Sequence, residues 1–154
     1  MSRTLLRNIC AAAALLLPLW GAQAALNLSD PLPIGPQVTV GTLANGLTYY
    51  IQKNSRPEKR LELRLVVKAG SVLEDEDQLG LAHFTEHMAF NGSTHFKKHE
   101  LISYLQSIGL KFGADLNAYT SFDETVYILT IPTENRDNIE KGFLVLEDWA
   151  QGVS

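Results

Sequence analysis

The chain has 154 residues, of which 45% are hydrophobic, and this length corresponds to one globular domain at most. Its formal net charge is −4 at pH 7. An acidic chain without a basic stripe is unsuited to nucleic acid, because that class of protein presents clustered lysine and arginine to phosphate. Cys10 is the single cysteine, which excludes a disulfide scaffold and a cysteine-ligated zinc site.

Residues 1–24 have the pattern of a secretory signal peptide. Arg3 and Arg7 precede an apolar run from Ile9 to Trp20, and Ala22-Gln23-Ala24 is a small-residue cleavage signal. The run is too short to span a bilayer comfortably, so we expect no stable membrane anchor, with an uncleaved anchor as the alternative. The segment predicts export across the inner membrane to the periplasm.

The next part of the chain is predicted to be a leader followed by strands. Residues 25–37 are rich in Pro, Asn, Ser and Asp, which predicts an extended leader without a core of its own. Residues 38–43 and 47–52 flank Asn45-Gly46, a dipeptide that favours the tight turn of a β-hairpin. The run from Leu61 to Val72 alternates and then becomes apolar, which predicts a well-buried strand.

The strongest chemical signal is the pentapeptide of residues 83–87. On a helix, His83 and His87 project at i and i+4 from one face, and Glu86 lies beside them. Zinc accepts imidazole nitrogen readily, and a carboxylate next to the metal can take a proton from water, as in metalloproteases. The alternative is two unrelated histidines on a solvated helix face.

The flanks of this segment are also typical of a helix. An apolar stripe on the side opposite the motif consists of Leu81, Phe84 and Met88. Asn91-Gly92 is a stop signal. The acidic run Glu74–Asp77 precedes the helix and could draw in a cation. We expect it instead to be a solvated loop that favours the helix N-terminus.

A second histidine pair, His95 and His99, has the same i, i+4 spacing. It straddles a predicted loop-to-helix junction, with Lys97 and Lys98 between the two histidines. Because the lysines would repel a dication, we expect no metal site there. A helix from Glu100 to Ile108 follows.

The remaining elements are two strand-like runs, at residues 115–120 and 125–131, and an amphipathic helix to about residue 149 or 151. The second run is apolar on both faces and should be central in a sheet, whereas the first is more polar and is a candidate edge. This order predicts an α+β fold in which helices pack on one face of an antiparallel-rich sheet, rather than alternating βαβ units.

Residues Gly80 to Ser93 resemble the active-site segment of the pitrilysin/insulinase metallopeptidases, the inverzincins. Three further segments are similar to this family. Leu43–Leu47 resembles its N-terminal hairpin, Lys68–Ser71 its strand before the zinc helix, and Asn117–Ser121 its substrate-facing strand. Together the segments cover most of residues 38–150 in the family's order, and the chain is identified as a member of the family.

The resemblance implies roles for particular residues. His83 and His87 match the two zinc-binding histidines, and Glu86 matches the general base that activates water. In the family, an edge strand pairs with an extended peptide substrate, and the residues that match this strand are Asn117, Ala118 and Tyr119. Main-chain hydrogen bonds in such a strand hold any sequence. For Asn117, an ordinary polar residue near a turn is the alternative.

Two acidic residues further along have a weaker claim to a role. Asp123 and Glu124 could orient a ligand histidine as its hydrogen-bond partners. A solvated hairpin turn is the expected role of both.

The third zinc ligand of the family has no match in this chain. In the family it is a glutamate on a later helix, about 75 to 80 residues beyond the second histidine. That position falls beyond Ser154, and neither Glu140 nor Glu147 matches it. We therefore expect residues 38–154 to be the truncated N-terminal part of a pitrilysin-like peptidase domain, incomplete at its C-terminus and inactive by itself.

The function that these observations predict for the parent protein is that of a Zn²⁺-dependent endopeptidase acting on peptides or unfolded polypeptides. The resemblance also implies a second homologous domain or subunit as a partner. One alternative is a non-catalytic binding or scaffold subunit, although such members typically lose the histidines or the glutamate that are intact here. Another is a metal-binding module that uses the half-site alone.

Overall fold

The computed structural model describes residues 32–154 of the chain. The predicted signal peptide and residues 25–31 of the predicted leader lie outside the described residues. The chain divides into two compact units, Met1–Gln52 and Lys53–Ser154. Within residues 32–154, no helix is both long enough and apolar enough to cross a membrane.

The described part of the first unit contains an antiparallel hairpin of β1 (Val38–Thr42) and β2 (Thr48–Gln52). Its turn is closed by two bonds, in which the Leu43 N–H donates to the Leu47 carbonyl and the Gly46 N–H donates to the Leu43 carbonyl. Gly46 has a φ of 89°, a conformation that glycine adopts without steric cost. The hairpin predicted from Asn-Gly is confirmed.

The second unit is an α+β layer. Its elements are β3 (Arg60–Val67), a 3₁₀ turn (Ser71–Leu73), α1 (Leu81–Met88), α2 (Glu100–Ser107), β4 (Leu116–Thr120), β5 (Thr125–Pro132) and α3 (Arg136–Gln151). The three strands form an antiparallel sheet in the order β3-β5-β4. The predicted fold class, the central position of β5 and the edge position of β4 are therefore confirmed.

The core lies between one face of this sheet and the helices. Alternate residues of β5 point to that face, and Leu129 and Ile131 are fully buried. From α3, Val145 is fully buried and the Trp149 ring stacks on Tyr127, with 5.2 Å between ring centroids. The Trp149 indole N–H also donates to the carbonyl of residue 89, at 3.2 Å. These contacts join the C-terminal half of α3 to the end of α1.

The prediction of a well-buried strand at Leu61–Val72 was wrong in two respects. The strand ends at Val67 and is followed by the 3₁₀ turn. It is also an edge strand, in which Leu63 is buried while Val66 and Val67 are 52% and 36% exposed. An apolar run identifies a strand but does not distinguish an edge from a centre, because β-branched residues suit both.

The apolar stripe predicted for the motif helix does not face the core. Leu81 and Phe84 are 51% and 61% exposed, whereas Glu86 is only 8% exposed and Ala89 is fully buried. The helix also ends at Met88, before the Asn-Gly stop signal. The buried side of α1 therefore carries the Glu86 carboxylate, whereas the buried side of an ordinary amphipathic helix is apolar.

Candidate metal centre

The start of α1 is fixed by an acidic side chain that precedes it. Gly80, the residue before the helix, has a φ of 89°, in the left-handed region that favours glycine. The Glu74 carboxylate accepts the Gly80 N–H at 2.8 Å and the Ala82 N–H at 2.7 Å. These two bonds hold the pKa of Glu74 below its ordinary value. The acidic run thus supports the helix N-terminus, as expected from the sequence.

His83 and His87 lie on the exposed side of α1, one turn apart. Their Nε2 atoms are 3.0 Å apart, with one ring edge-on to the other. Two imidazole nitrogens on one tetrahedral zinc ion are separated by about 3.3 Å, since each Zn–N bond is about 2.0–2.1 Å long. A small rotation of either ring would therefore allow both nitrogens to bind one ion. The donor set fits zinc.

Glu86 lies on the packed side of the same helix turn. Its Oε2 accepts a hydrogen bond from the Thr120 hydroxyl at 3.0 Å, so the carboxylate is tied to the end of β4. Burial raises the pKa of the Tyr127 phenol, and the negative charge of Glu86 raises it further. Glu86 is therefore largely buried and bonded to the strand at the edge of the sheet.

An open cleft of about 360 Å³ borders this arrangement. It lies between the start of α1 and the turn that joins β4 to β5. Its lining includes Glu74, His83, Thr120, Ser121 and Phe122. Within residues 32–154, no three His, Cys, Asp or Glu side chains come together as a complete metal site. His83 and His87 are the two candidate ligands, and the Glu86 carboxylate is hydrogen-bonded to Thr120.

The three residues matched to the substrate-facing strand lie on β4, at the edge of the sheet. The Thr130 N–H donates to the Asp115 carbonyl, and the alternation of an antiparallel ladder then directs the main-chain groups of Ala118 away from β5. The Ala118 N–H is bonded to the side-chain oxygen of Asn117, at 3.0 Å. Asn117 thus occupies the donor that an added strand would use.

Tyr119 points to the opposite face of the sheet from the motif helix. Its hydroxyl donates to the Glu124 carboxylate at 2.9 Å, and this bond raises the pKa of Tyr119. Glu124 therefore belongs to the turn after β4, as expected, and its carboxylate bonds Tyr119 rather than His83 or His87.

The second histidine pair is not arranged like the first. His99 precedes α2 with a φ of 69°, while His95 lies in the preceding loop. The His95 Nδ1 is 2.7 Å from the Asp148 carboxylate, which also accepts the His95 N–H at 2.9 Å and the Ser93 hydroxyl at 2.5 Å. Asp148 is 2% exposed. His95 therefore anchors a loop to α3 and does not form a metal pair with His99.

Burial alone would raise the pKa of Asp148. The hydrogen bonds from Ser93 and His95 outweigh that effect and hold its pKa below the ordinary value.

Sequence reasoning assigned no role to Asp148 or to Thr120. Strand alternation from Ala118 indicates that Thr120 lies on the helix-facing side of β4, but it does not indicate the bond to Glu86.

Comparisons with known proteins show which family the chain resembles. A family model described as Insulinase (Peptidase family M16) matches residues 49–153. The probable zinc protease PqqL of Haemophilus influenzae is 42% identical over 129 residues, which are 84% of this chain and 14% of that protein. The probable zinc protease PqqL of Escherichia coli K12 is 37% identical over 154 residues, or 97% of this chain and 16% of that protein.

A solved structure is similar as well. The crystal structure of the first half of the periplasmic protease PqqL from Escherichia coli superposes with a TM-score of 0.77, at 38% identity, over 81% of this chain and 27% of that chain. The present chain spans 14–16% of the length of these two curated relatives.

Proposed function

The chain belongs to the insulinase family, peptidase family M16, and on that premise we propose that it is part of the catalytic domain of a zinc-dependent endopeptidase. His83 and His87 would bind the metal, and Glu86 would be the general base. The observation that carries the proposal is the 3.0 Å separation of the two Nε2 atoms beside a carboxylate held by its own hydrogen bond.

The residues of α1 divide the chemistry between them. When bound, zinc would lower the pKa of a water molecule and polarise the scissile carbonyl. His83 and His87 must both present an unprotonated Nε2, so a metal requires that their mutual contact give way. Oε2 of Glu86 accepts the Thr120 hydroxyl, which leaves Oε1 to take a proton from water and return it to the leaving amine.

The substrate would be an extended peptide or unfolded polypeptide that adds to β4. The edge position of this strand and the outward main-chain groups of Ala118 support this mode. Asn117 would have to turn its side-chain oxygen away from the Ala118 N–H to admit the peptide. The main chain of Tyr119 would stay paired with β5, and its side chain would stay on the far face of the sheet.

The activity is proposed for a whole protein of the length of the relatives. A glutamate as third ligand and a second homologous domain or subunit remain predictions from the family resemblance. Residues 1–24 remain a predicted signal peptide, and we propose export to the periplasm, which is where the Escherichia coli relative is described.

The test is cleavage of unstructured fluorogenic peptides by the full-length protein and its Glu86→Gln variant. We expect the variant to lose at least about 100-fold in kcat, because the proton acceptor is removed, while zinc content by elemental analysis stays equal to that of the parent. Glu140→Gln, at an exposed position on α3, is the matched control and should cleave normally.

Two results would contradict the proposal. Parental cleavage by Glu86→Gln would remove Glu86 from the mechanism. A full-length protein that holds zinc but cleaves no peptide would favour the non-catalytic scaffold subunit instead.

A further inference from the structure

Thr120 is the last residue of β4, and its side chain reaches the candidate general base. The hydroxyl donates to Oε2 of Glu86 at 3.0 Å and joins two residues 34 positions apart in sequence. Glu86 is 8% exposed, so the bond lies largely out of water. A hydrogen bond to a charged group in such surroundings is stronger and more directional than one at the surface.

The proton of Thr120 is free for this bond. The neighbouring Thr125 hydroxyl donates to the Ala69 carbonyl at 2.9 Å and is 3.5 Å from the Thr120 oxygen. Each hydroxyl has only one proton to donate. The shorter contact therefore engages the proton of Thr125, and the proton of Thr120 goes to Glu86.

The backbone that carries Thr120 is fixed from several sides. Thr120 pairs with Thr125 in the last rung of the β4–β5 ladder, and the Ser121 N–H donates to the Glu124 carbonyl at 2.8 Å. The segment before α1 holds the same turn, because the Ser71 N–H donates to the Ser121 carbonyl at 3.1 Å.

Gly70 permits this close approach of the two segments. A Cβ at that position would collide with the carbonyl oxygen of Ser121 and the backbone of Phe122. The hydroxyl of Thr120 is thus presented to α1 by a turn whose main chain is clamped on both sides.

We propose that Thr120 is a positioning residue, which holds Oε2 of Glu86 and thereby leaves Oε1 in a single orientation for proton transfer. The inference rests on the proposed role of Glu86 as general base. It also links two parts of the site, since Ala118 and Thr120 are two residues apart on one strand. Ala118 would bond the peptide main chain and Thr120 holds the base. A shift of β4 along β5 would therefore displace the peptide-binding group and the base together.

The test compares three variants of the full-length enzyme. Thr120→Val keeps the shape and strand preference but removes the donor, and Thr120→Ser keeps the donor. Thr130→Val is the matched control, because alternation places Thr130 on the opposite face of β5. For each variant we would measure kcat and KM on a fluorogenic peptide, the zinc content, and the orientation of Glu86 in a crystal structure.

We expect kcat of Thr120→Val to fall between about 10- and 100-fold with KM and zinc content unchanged, because the base is misplaced but the peptide and metal still bind. The crystal structure should show the Glu86 carboxylate rotated from its parental position. Thr120→Ser should recover most of kcat, and Thr130→Val should match the parent. If the valine variant does not fold, Thr120→Ala takes its place in the same comparison.

Parental kcat in Thr120→Val, or an unmoved Glu86 carboxylate, would overturn the inference. A loss of stability with kcat unchanged would make Thr120 a structural tie alone. If the parent enzyme cleaves no peptide, the proposed function fails. The crystallographic position of Glu86 in the two Thr120 variants still decides whether the hydroxyl positions it.

Discussion

The two histidine pairs of this chain have identical spacing and opposite structural roles. His83 and His87 stand on α1 with their Nε2 atoms 3.0 Å apart. His95 lies in a loop and bonds the buried Asp148, while His99 precedes α2 in a left-handed conformation. Spacing of i and i+4 brings side chains together only where the whole interval is helical. A ligand pair is therefore a property of the helix as much as of the histidines.

The largest expected effect separates the two pairs by metal content. In the full-length protein, His83→Ala should reduce bound zinc to near zero and cleavage by at least about 1,000-fold, because a two-ligand remnant holds the ion poorly. His99→Ala should change neither quantity. Elemental analysis and peptide cleavage check both. Zinc lost from His99→Ala, or kept in His83→Ala, would reverse the assignment of the pairs.

The second prediction concerns the structural role of the second pair. Asp148→Ala should reduce the free energy of unfolding by about 3 kcal/mol, because the Ser93 hydroxyl and the His95 N–H lose a buried acceptor. His95→Ala should cost only about 1 kcal/mol, since His95 is partly exposed and Asp148 keeps other donors. Calorimetry of the full-length protein provides the measurement. Equal losses for the two variants would show that the imidazole is the essential partner.

The lowered pKa of Asp148 predicts that the protein loses stability at acid pH. The pKa of this carboxylate is lowered in the folded state from an ordinary value of 3.8, so its contribution is present above that value and is lost as pH falls through the folded pKa. The difference in thermal midpoint between the parent and Asp148→Asn should be large at about pH 5 and should narrow below about pH 4. A constant difference across this range would contradict the prediction.

The smallest expected effect is on thermal stability and concerns the cap of α1, the helix that carries His83 and His87. Glu74→Gln weakens the two bonds that cap α1, and we expect the thermal midpoint to fall by about 1 °C. Zinc content should stay near that of the parent. Asp75→Asn, in the same acidic run, is the control and should leave the midpoint unchanged. A larger fall in the control would show that the run acts through its net charge.

The sequence predicted much of this structure where the signal was local. The Asn45-Gly46 turn gave the hairpin because glycine accepts the positive φ there. The central position of β5 and the edge position of β4 followed from the greater polarity of β4. The packed side of α1 was not predictable from hydrophobicity, since Glu86 is buried while Phe84 is exposed. A site that must hold a carboxylate against a strand departs from the pattern that ordinary helices follow.

The sequence by itself determined which residues could form a metal centre and which family the segment resembles, because helical spacing and motif order are properties of the chain. The tertiary structure alone decided which two histidines lie side by side, since His95 is hydrogen-bonded to Asp148, 53 residues further along the chain. It also decided that Thr120 holds Glu86. Both contacts depend on long-range packing, and no local pattern encodes where a distant carboxylate or hydroxyl will lie.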